Sequence, residues 1–482
     1  MGEGRFDAIV IGAGFGGASC AALLARAGRK VLVIEKNNLA GGKTMSHARK
    51  GFRYSPWPII GAPLEGSWAS RLVADLGIGE HARLVKVQGR SMYRTPDGTF
   101  EPMPSSGSDA LDPNVLFDWL RVPAAERTAV LEFMMMLSLM PPDEVAKLEG
   151  RDFHGWVQPF GLPASVHAFL VSNCLDDMYM VPSDQLDCAE AVSGLQKVLL
   201  GGGGQFCLGG WGVLAEACCA YVGAHGGEVL TGTRVQRIVI DDGAVAGVET
   251  EDGTIHRSAT VISNAGIQPT VLRLAGARHF DADYVERIGK LLPSHALVGY
   301  RYFLGEPVLD YGYSVIFSNT SAWSRQRFED AHAGKASREG FVLVEVPSNY
   351  DPGHAPAGRQ LVMSASMCPA DPEMIRDDVK AWADAGEAIL FAAHPELANR
   401  IEEKVLYTAR SVSNATRDAV VPGAGGETIG IAQIVGQAGR AKPSIRTPVE
   451  GLWIVGCDAG GTGVGTQQAI ESGYVVAEAV LG

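Results

Sequence analysis

The chain has 482 residues, 46% hydrophobic and 20% charged, which excludes a disordered or fibrous protein and allows roughly two to four domains. A formal net charge of −13 with no basic block argues against nucleic acid as a main partner. The eight cysteines form no C-x-x-C pair, so reduced thiols in a cytoplasmic protein are expected rather than disulfides or zinc.

The beginning of the chain carries no basic n-region, and no signal peptide is expected. Residues 8–25 hold no charge, yet Gly12, Gly14, Gly16 and Gly17 make strand, turn and helix a better reading than a membrane span. Residues 6–11 are apolar and β-branched, which predicts a buried strand. Gly12-Ala13-Gly14-Phe15-Gly16-Gly17 then fits G-x-G-x-x-G, a helix follows to Gly28, and a second strand over 30–34 closes on Glu35. This is the dinucleotide fingerprint in its full context. Gly12 permits the tight turn, Gly14 lets backbone approach a pyrophosphate, and Gly17 lets helix pack on strand. The helix N-terminus offers free N–H groups to phosphate. Glu35, with Lys36 beside it, stands where a carboxylate takes ribose hydroxyls.

Ala40-Gly41-Gly42-Lys43-Thr44 follows at once. Here the sequence resembles the FAD-dependent superfamily of phytoene desaturases, carotenoid isomerases, retinol saturase and flavin amine oxidases, whose G-G-[RK] stretch lies by the FAD pyrophosphate. The resemblance implies an α/β fold, with a glutathione-reductase-like FAD-binding Rossmann domain and an interleaved α+β substrate domain containing an antiparallel sheet. Residues 1–80, 190–290 and 421–482 would form the first domain, residues 81–189 and 291–420 the second. It also implies FAD at Gly42 and Lys43. Residues 51–61 stand where the family has an aromatic, acidic and glycine stretch beside the flavin. Tyr54 keeps the aromatic position, whereas Ser55 replaces the Asp and Trp57 replaces the Gly before Pro58, a departure from carotenoid enzymes. Tyr54 and Trp57 are expected to line the substrate pocket, and Ile59 and Ile60 to lie at the cofactor.

Residues 128–140 are apolar with four methionines and one acid, which suits a buried core helix, a pocket lining or an entry helix for a lipophilic substrate. Tyr179 is a candidate polar group over the flavin, with an ordinary core tyrosine as the alternative. Residues 207–265 run through a glycine-rich turn, an amphipathic helix, Gly226-Gly227-Glu228-Val229, a strand over 233–240, a meander with turns at Asp242-Gly243 and Asp252-Gly253, and a closing V-x-S-N-A. By resemblance Val235 contacts adenine and Ala265 lies near the cofactor. Strands over 295–304, 340–346 and 360–367 suggest an antiparallel sheet roofing the flavin, and 373–391 read as a helix. His354, in a Pro-Gly turn, is expected on a loop.

The last strand, 451–457, leads into Asp458 and a glycine-rich turn, then a helix from Thr466. The resemblance puts Asp458 at the ribityl or pyrophosphate region, and Gly465, Thr466 and Gln467 at the flavin ring. Glycine marks all three cofactor stretches: of 60 glycines, 40 fall in residues 1–62, 194–253 and 423–482. No second G-x-G-x-x-G exists, so no separate nicotinamide domain is expected. Electrons would pass to oxygen, a quinone or another acceptor. Cys457 is not placed for a flavin thioether, so FAD should be non-covalent. The leading reading is an oxidoreductase on carbon–carbon bonds of a hydrophobic small molecule, cytoplasmic with peripheral membrane contact in view. A flavin amine oxidase and a prenyl-lipid carrier of the GDP-dissociation-inhibitor type are the alternatives. No catalytic acid or base is assigned.

Overall fold

Short β-branched runs build the first layer. In the computed structural model, which describes residues 6–56, 62–63, 66–104, 112–201, 204–333, 335, 339–370, 376–416 and 429–482, strands Ala8–Ile11, Val31–Ile34, Glu228–Leu230, Val261–Ser263 and Leu452–Ile454 form a parallel sheet. Its spatial order is 228–230, 31–34, 8–11, 261–263, 452–454. The first two strands are buried at every position, as expected for a parallel sheet covered on both faces. Alternate side chains divide between two cores. Ala8, Val10, Val31 and Val33 face the helices Phe15–Arg26, Gly212–Ala224 and Gly465–Leu481. Ile9, Ile11, Leu32 and Ile34 face a three-stranded meander of Val235–Asp241, Ala244–Thr250 and Ile255–Arg257.

A second, seven-stranded sheet runs in the order 401–407, 296–304, 360–368, 342–345, 313–318, 92–94, 100–102. All its pairings are antiparallel except that of 313–318 with 92–94. The helix Arg376–Ala393 covers one face, with Trp382 stacked on Trp323 at 5.4 Å. On the opposite face the register sets Arg301, Met363, Glu345 and Tyr313 in one row across four strands. The sequence anticipates the strands at 296–304, 342–345 and 360–368 but not those at 313–318 and 401–407.

The methionine-rich segment is the helix Arg127–Leu139. Val130, Phe133 and Leu137 are buried, whereas Met135, Met136 and Leu139 are exposed, so only one side is core. No helix among the described residues is long and apolar enough to cross a membrane.

Candidate functional site

The first strand ends in a loop whose shape only glycine allows. Gly12 turns with φ +90 and donates its N–H to Ile34 O at 2.8 Å. A Cβ on Gly17 would lie 2.1 Å from Gly12 O, so the helix can begin this close to the strand only without a side chain there. The helix starts at Phe15 with Gly14 as its N-cap and no side-chain cap, which leaves its first N–H groups to a ligand. Glu35, 3% exposed, accepts from Ala13 N–H at 2.7 Å and from Asn37 N–H at 2.8 Å. Each carboxylate oxygen keeps a lone pair for a further donor. Its observed work is to brace the glycine loop; Lys36 beside it is half-buried.

Gly41 donates to Ala13 O at 2.8 Å, which lays the 41–44 turn across the loop. There Gly42, at φ +57, faces the Cα of Gly14 at 3.6 Å from its would-be Cβ. Lys43 follows, half-buried. The uncapped helix start at Phe15, the glycine cradle and the lysine suit a pyrophosphate in between.

A side chain that sequence reasoning passed over holds this cradle together. The amide of Asn264 lies 2.7 to 2.8 Å from the Cβ positions that Gly14, Gly16 and Gly456 would have. In the amide orientation that satisfies both ends, it accepts from Gly14 N–H at 3.3 Å and donates to Val455 O at 3.2 Å. The V-x-S-N-A stretch was the available signal, although it pointed to Ala265, which is half-buried beside Asn264. Val235 is buried at the start of the meander, next to the chain that bonds Glu35: Thr233 N–H donates to Glu35 O at 3.0 Å.

At the C-terminal end the helix Gly465–Leu481 also starts without a side-chain cap. Gln467 Oε1 accepts from Trp68 N–H at 2.7 Å, and Thr466 is half-buried. The Nε2 atoms of Gln467 and Gln468 are buried with no hydrogen-bond partner among the described residues, as expected of donors that await a ligand. The turn before them is strapped by three charged side chains. Glu190 Oε2 accepts from Gly463 N–H at 3.0 Å, Lys442 Nζ donates to Gly461 O at 2.7 Å, and Glu471 Oε2 accepts from Thr462 at 2.9 Å. Burial raises the Glu190 carboxyl and lowers the Lys442 ammonium from their ordinary values. Burial also pushes the Cys457 thiol up to about 11, and it donates to Gly465 O at 3.4 Å.

Two further candidates have observed partners within the chain. The oxygens of Asp458, expected at the ribityl or pyrophosphate region, accept from Ile267 N–H at 2.8 Å and Ile431 N–H at 3.3 Å, so this acid joins three chain segments. Tyr179 is fully buried and its hydroxyl donates to Glu190 O at 2.6 Å, which makes it a core tyrosine and not a polar group over the flavin. Trp57, Ile59 and Ile60 lie outside the described residues.

Between the 41–46 turn and the seven-stranded sheet is a cavity walled by Tyr54, Trp211, Glu345, His354 and Met363. Arg301, 6% exposed, lies with its guanidinium 4.7 Å from the centres of both the Tyr54 and Tyr407 rings. It donates to Pro56 O at 2.5 Å and Ser55 O at 3.3 Å, which anchors the chain just before residue 57. His354 sits on a short turn, as expected, but is buried.

A family profile described as flavin containing amine oxidoreductase matches residues 15–291, more than half of the chain. Phytoene desaturase (neurosporene-forming) of Rhodobacter capsulatus is 25% identical, covering 99% of this chain and 94% of its own. Among solved structures, an oxidoreductase from Methanosarcina mazei superposes with a TM-score of 0.71 at 21% identity, over 98% of this chain and 99% of the other. A putrescine oxidase bound to putrescine gives 0.66 at 14% identity, over 99% of both chains.

Proposed function

The chain belongs to the flavin-containing amine oxidoreductase family and is an FAD-dependent oxidoreductase, and from that premise we propose that it oxidises, reduces or isomerises a carbon–carbon bond of a hydrophobic small molecule. The observation that carries the cofactor assignment is the pair of uncapped helix N-termini, at Phe15 and Gly465, joined by the glycine cradle around Asn264. The chemistry is supported by likeness to a phytoene desaturase over nearly the whole chain. The loop 459–468, which lacks Tyr and Trp, does not offer the aromatic cage expected for an amine.

In this reading, residues 1–80, 190–290 and 421–482 form the FAD unit, and 81–189 with 291–420 the substrate unit. The loop Gly12–Gly17 and Lys43 hold the pyrophosphate, Glu35 takes ribose, and Val235 and Ala265 flank the adenine side. Gly465, Thr466 and Gln467 meet the flavin end without a covalent link. Bound FAD supplies a hydride donor or acceptor at N5. The protein's own work is to fix that ring against the substrate and exclude water. Arg301 fixes the backbone at Ser55 and Pro56, and Tyr54 walls the cavity. Oxygen or a quinone takes the electrons, and the exposed Met135, Met136 and Leu139 give lipophilic substrates a point of entry from a lipid surface.

The test is anaerobic. The purified protein should be yellow and should exchange electrons with one of a panel of lipophilic alkenes and cyclic enones. Reduction of its flavin by putrescine and not by any lipophile would establish the amine oxidase instead. A colourless protein that FAD cannot load would remove the whole reading.

A further inference from the structure

Glu190 does not do the work its place in the helix assigns. It stands third in the helix Cys188–Leu200, behind the N-cap Asp187, where a glutamate ordinarily reaches back to the N-cap N–H. That N–H donates instead to Gln433 O at 3.0 Å, and the Glu190 carboxylate is turned to Gly463 N–H at 3.0 Å, far along the chain. Its backbone is fixed from behind, where Tyr179 donates to Glu190 O at 2.6 Å. The tyrosine fits there because Gly194 has no side chain: a Cβ would lie 2.7 Å from its hydroxyl. Lys442 reaches the same turn with the opposite polarity and donates to Gly461 O at 2.7 Å. Each of the two charges offsets part of the other's desolvation.

The turn they hold presses on the last helix. A Cβ on Gly461 would lie 2.3 Å from Gln468 O, so the turn sits directly against the first turn of Gly465–Leu481. Gln468 is 1% exposed, and its Nε2 has no partner among the described residues. A side-chain cap would occupy N–H groups at the helix start. A strap on the turn behind fixes the same helix start and leaves those groups open to a ligand. Reduction adds negative charge at a flavin, which a nearby cation favours and a nearby anion opposes. We propose that Glu190 and Lys442 are a pair of positioning residues that hold the flavin end in place and set its reduction potential, the lysine raising it and the glutamate lowering it. The proposal rests on the flavin placement given above, at Gly465, Thr466 and Gln467.

FAD-loaded wild type, Glu190→Gln, Glu190→Ala, Lys442→Gln and Gln468→Met are reduced anaerobically at pH 8 beside a reference dye, and FAD retention is measured by dialysis. Glutamine at 190 keeps an oxygen for Gly463 N–H and drops the charge, whereas alanine drops both. Glu190→Gln should shift the flavin–dye equilibrium about threefold or more toward reduced flavin, and Lys442→Gln by a similar factor the other way, the size of one partly screened charge. Glu190→Ala should hold FAD about fivefold or more weakly, the size of one lost hydrogen bond, and Glu190→Gln should restore most of that loss. Shifts of the same sign in the two glutamine variants, or none in either, would reduce the pair to structural ties, and the proposal falls. FAD held equally weakly by Glu190→Gln and Glu190→Ala also overturns it. Gln468→Met removes the buried amide at the helix start. If it alone loosens FAD or shifts the equilibrium, the flavin placement stands and the strap proposal fails. If none of the four variants does either, the placement itself fails with it. If Glu190→Ala does not fold, the opposite shifts of the two glutamine variants decide.

Discussion

Glu35 has one observed duty, bracing the glycine loop, and one proposed, holding ribose, and two substitutions can separate them. Its carboxylate ties Ala13 and Asn37 together whether or not a ribose is present. Glu35→Ala should therefore lower thermal stability, by about 1–3 kcal/mol for each of the two buried N–H groups left unpaired, and also weaken FAD. Glu35→Gln should recover part of the stability, because one amide oxygen can still accept. Melting curves of the FAD-free variants and flavin retention on dialysis check the two effects. Unchanged flavin affinity in both variants would leave Glu35 as a brace alone. Glycines 14 and 17 make a second contrast. Gly17→Ala drives a Cβ into backbone at Gly12 O and should cost upwards of about 1–3 kcal/mol. Gly14→Ala meets only the Asn264 amide. Trimming that amide with Asn264→Ser should make the Gly14→Ala penalty smaller, a non-additivity that a double-mutant cycle reads directly.

Among the elements, the short helix Asp176–Tyr179 places an acid where it is reluctant to ionise. Burial raises the Asp177 carboxyl from its ordinary 3.8 to about 7. The sign follows from linkage: this group favours the folded state below about pH 4, and that contribution is lost as pH rises through about 7. Asp177→Asn, which mimics the protonated form, should match wild type near pH 4 and melt higher than wild type at pH 8, by on the order of a few degrees. Parallel melting curves at the two pH values would show it, and an equal gap at both would contradict it. Strands and helices around the glycine cradle were legible because periodicity, glycine and a terminal acid lie close together in sequence, as in residues 6–35. The straps were not. Asn264 acts on Gly14, Glu190 on Gly463 and Arg301 on Ser55, each across roughly two hundred residues or more. Strand Ala296–Leu304 is buried at every position, so no alternation announced that Arg301 shares a face with Glu345. Tyr179 shows the converse: a polar aromatic in a promising motif can be pure core, its hydroxyl met by a carbonyl eleven residues on.

For the whole molecule, one cofactor is proposed to touch three stretches that the chain separates widely, and its removal should be felt as a loss of cohesion. A ligand at about a thousand times its dissociation constant adds about 4 kcal/mol to the folded state. Apoprotein should melt well below holoprotein and recover on adding FAD. A melting temperature indifferent to FAD would argue that the three stretches are already locked by Asn264, Asp458 and the Glu190 strap.

The parallel sheet carries a consequence for biosynthesis. Its centre is the first strand, Ala8–Ile11, one edge is Glu228–Leu230, and the other edge is Leu452–Ile454. The first helix is matched to the last, where Gly473 makes room for Ser19. A ribosome therefore releases the sheet's middle long before either border exists, and the final border, Leu452–Ile454, emerges last of the five strands. Until then, the face of helix Phe15–Arg26 meant for Gly465–Leu481 has nothing to cover it. The nascent polypeptide should lean on chaperones for most of its synthesis, and losing its last helix should leave it insoluble rather than merely inactive.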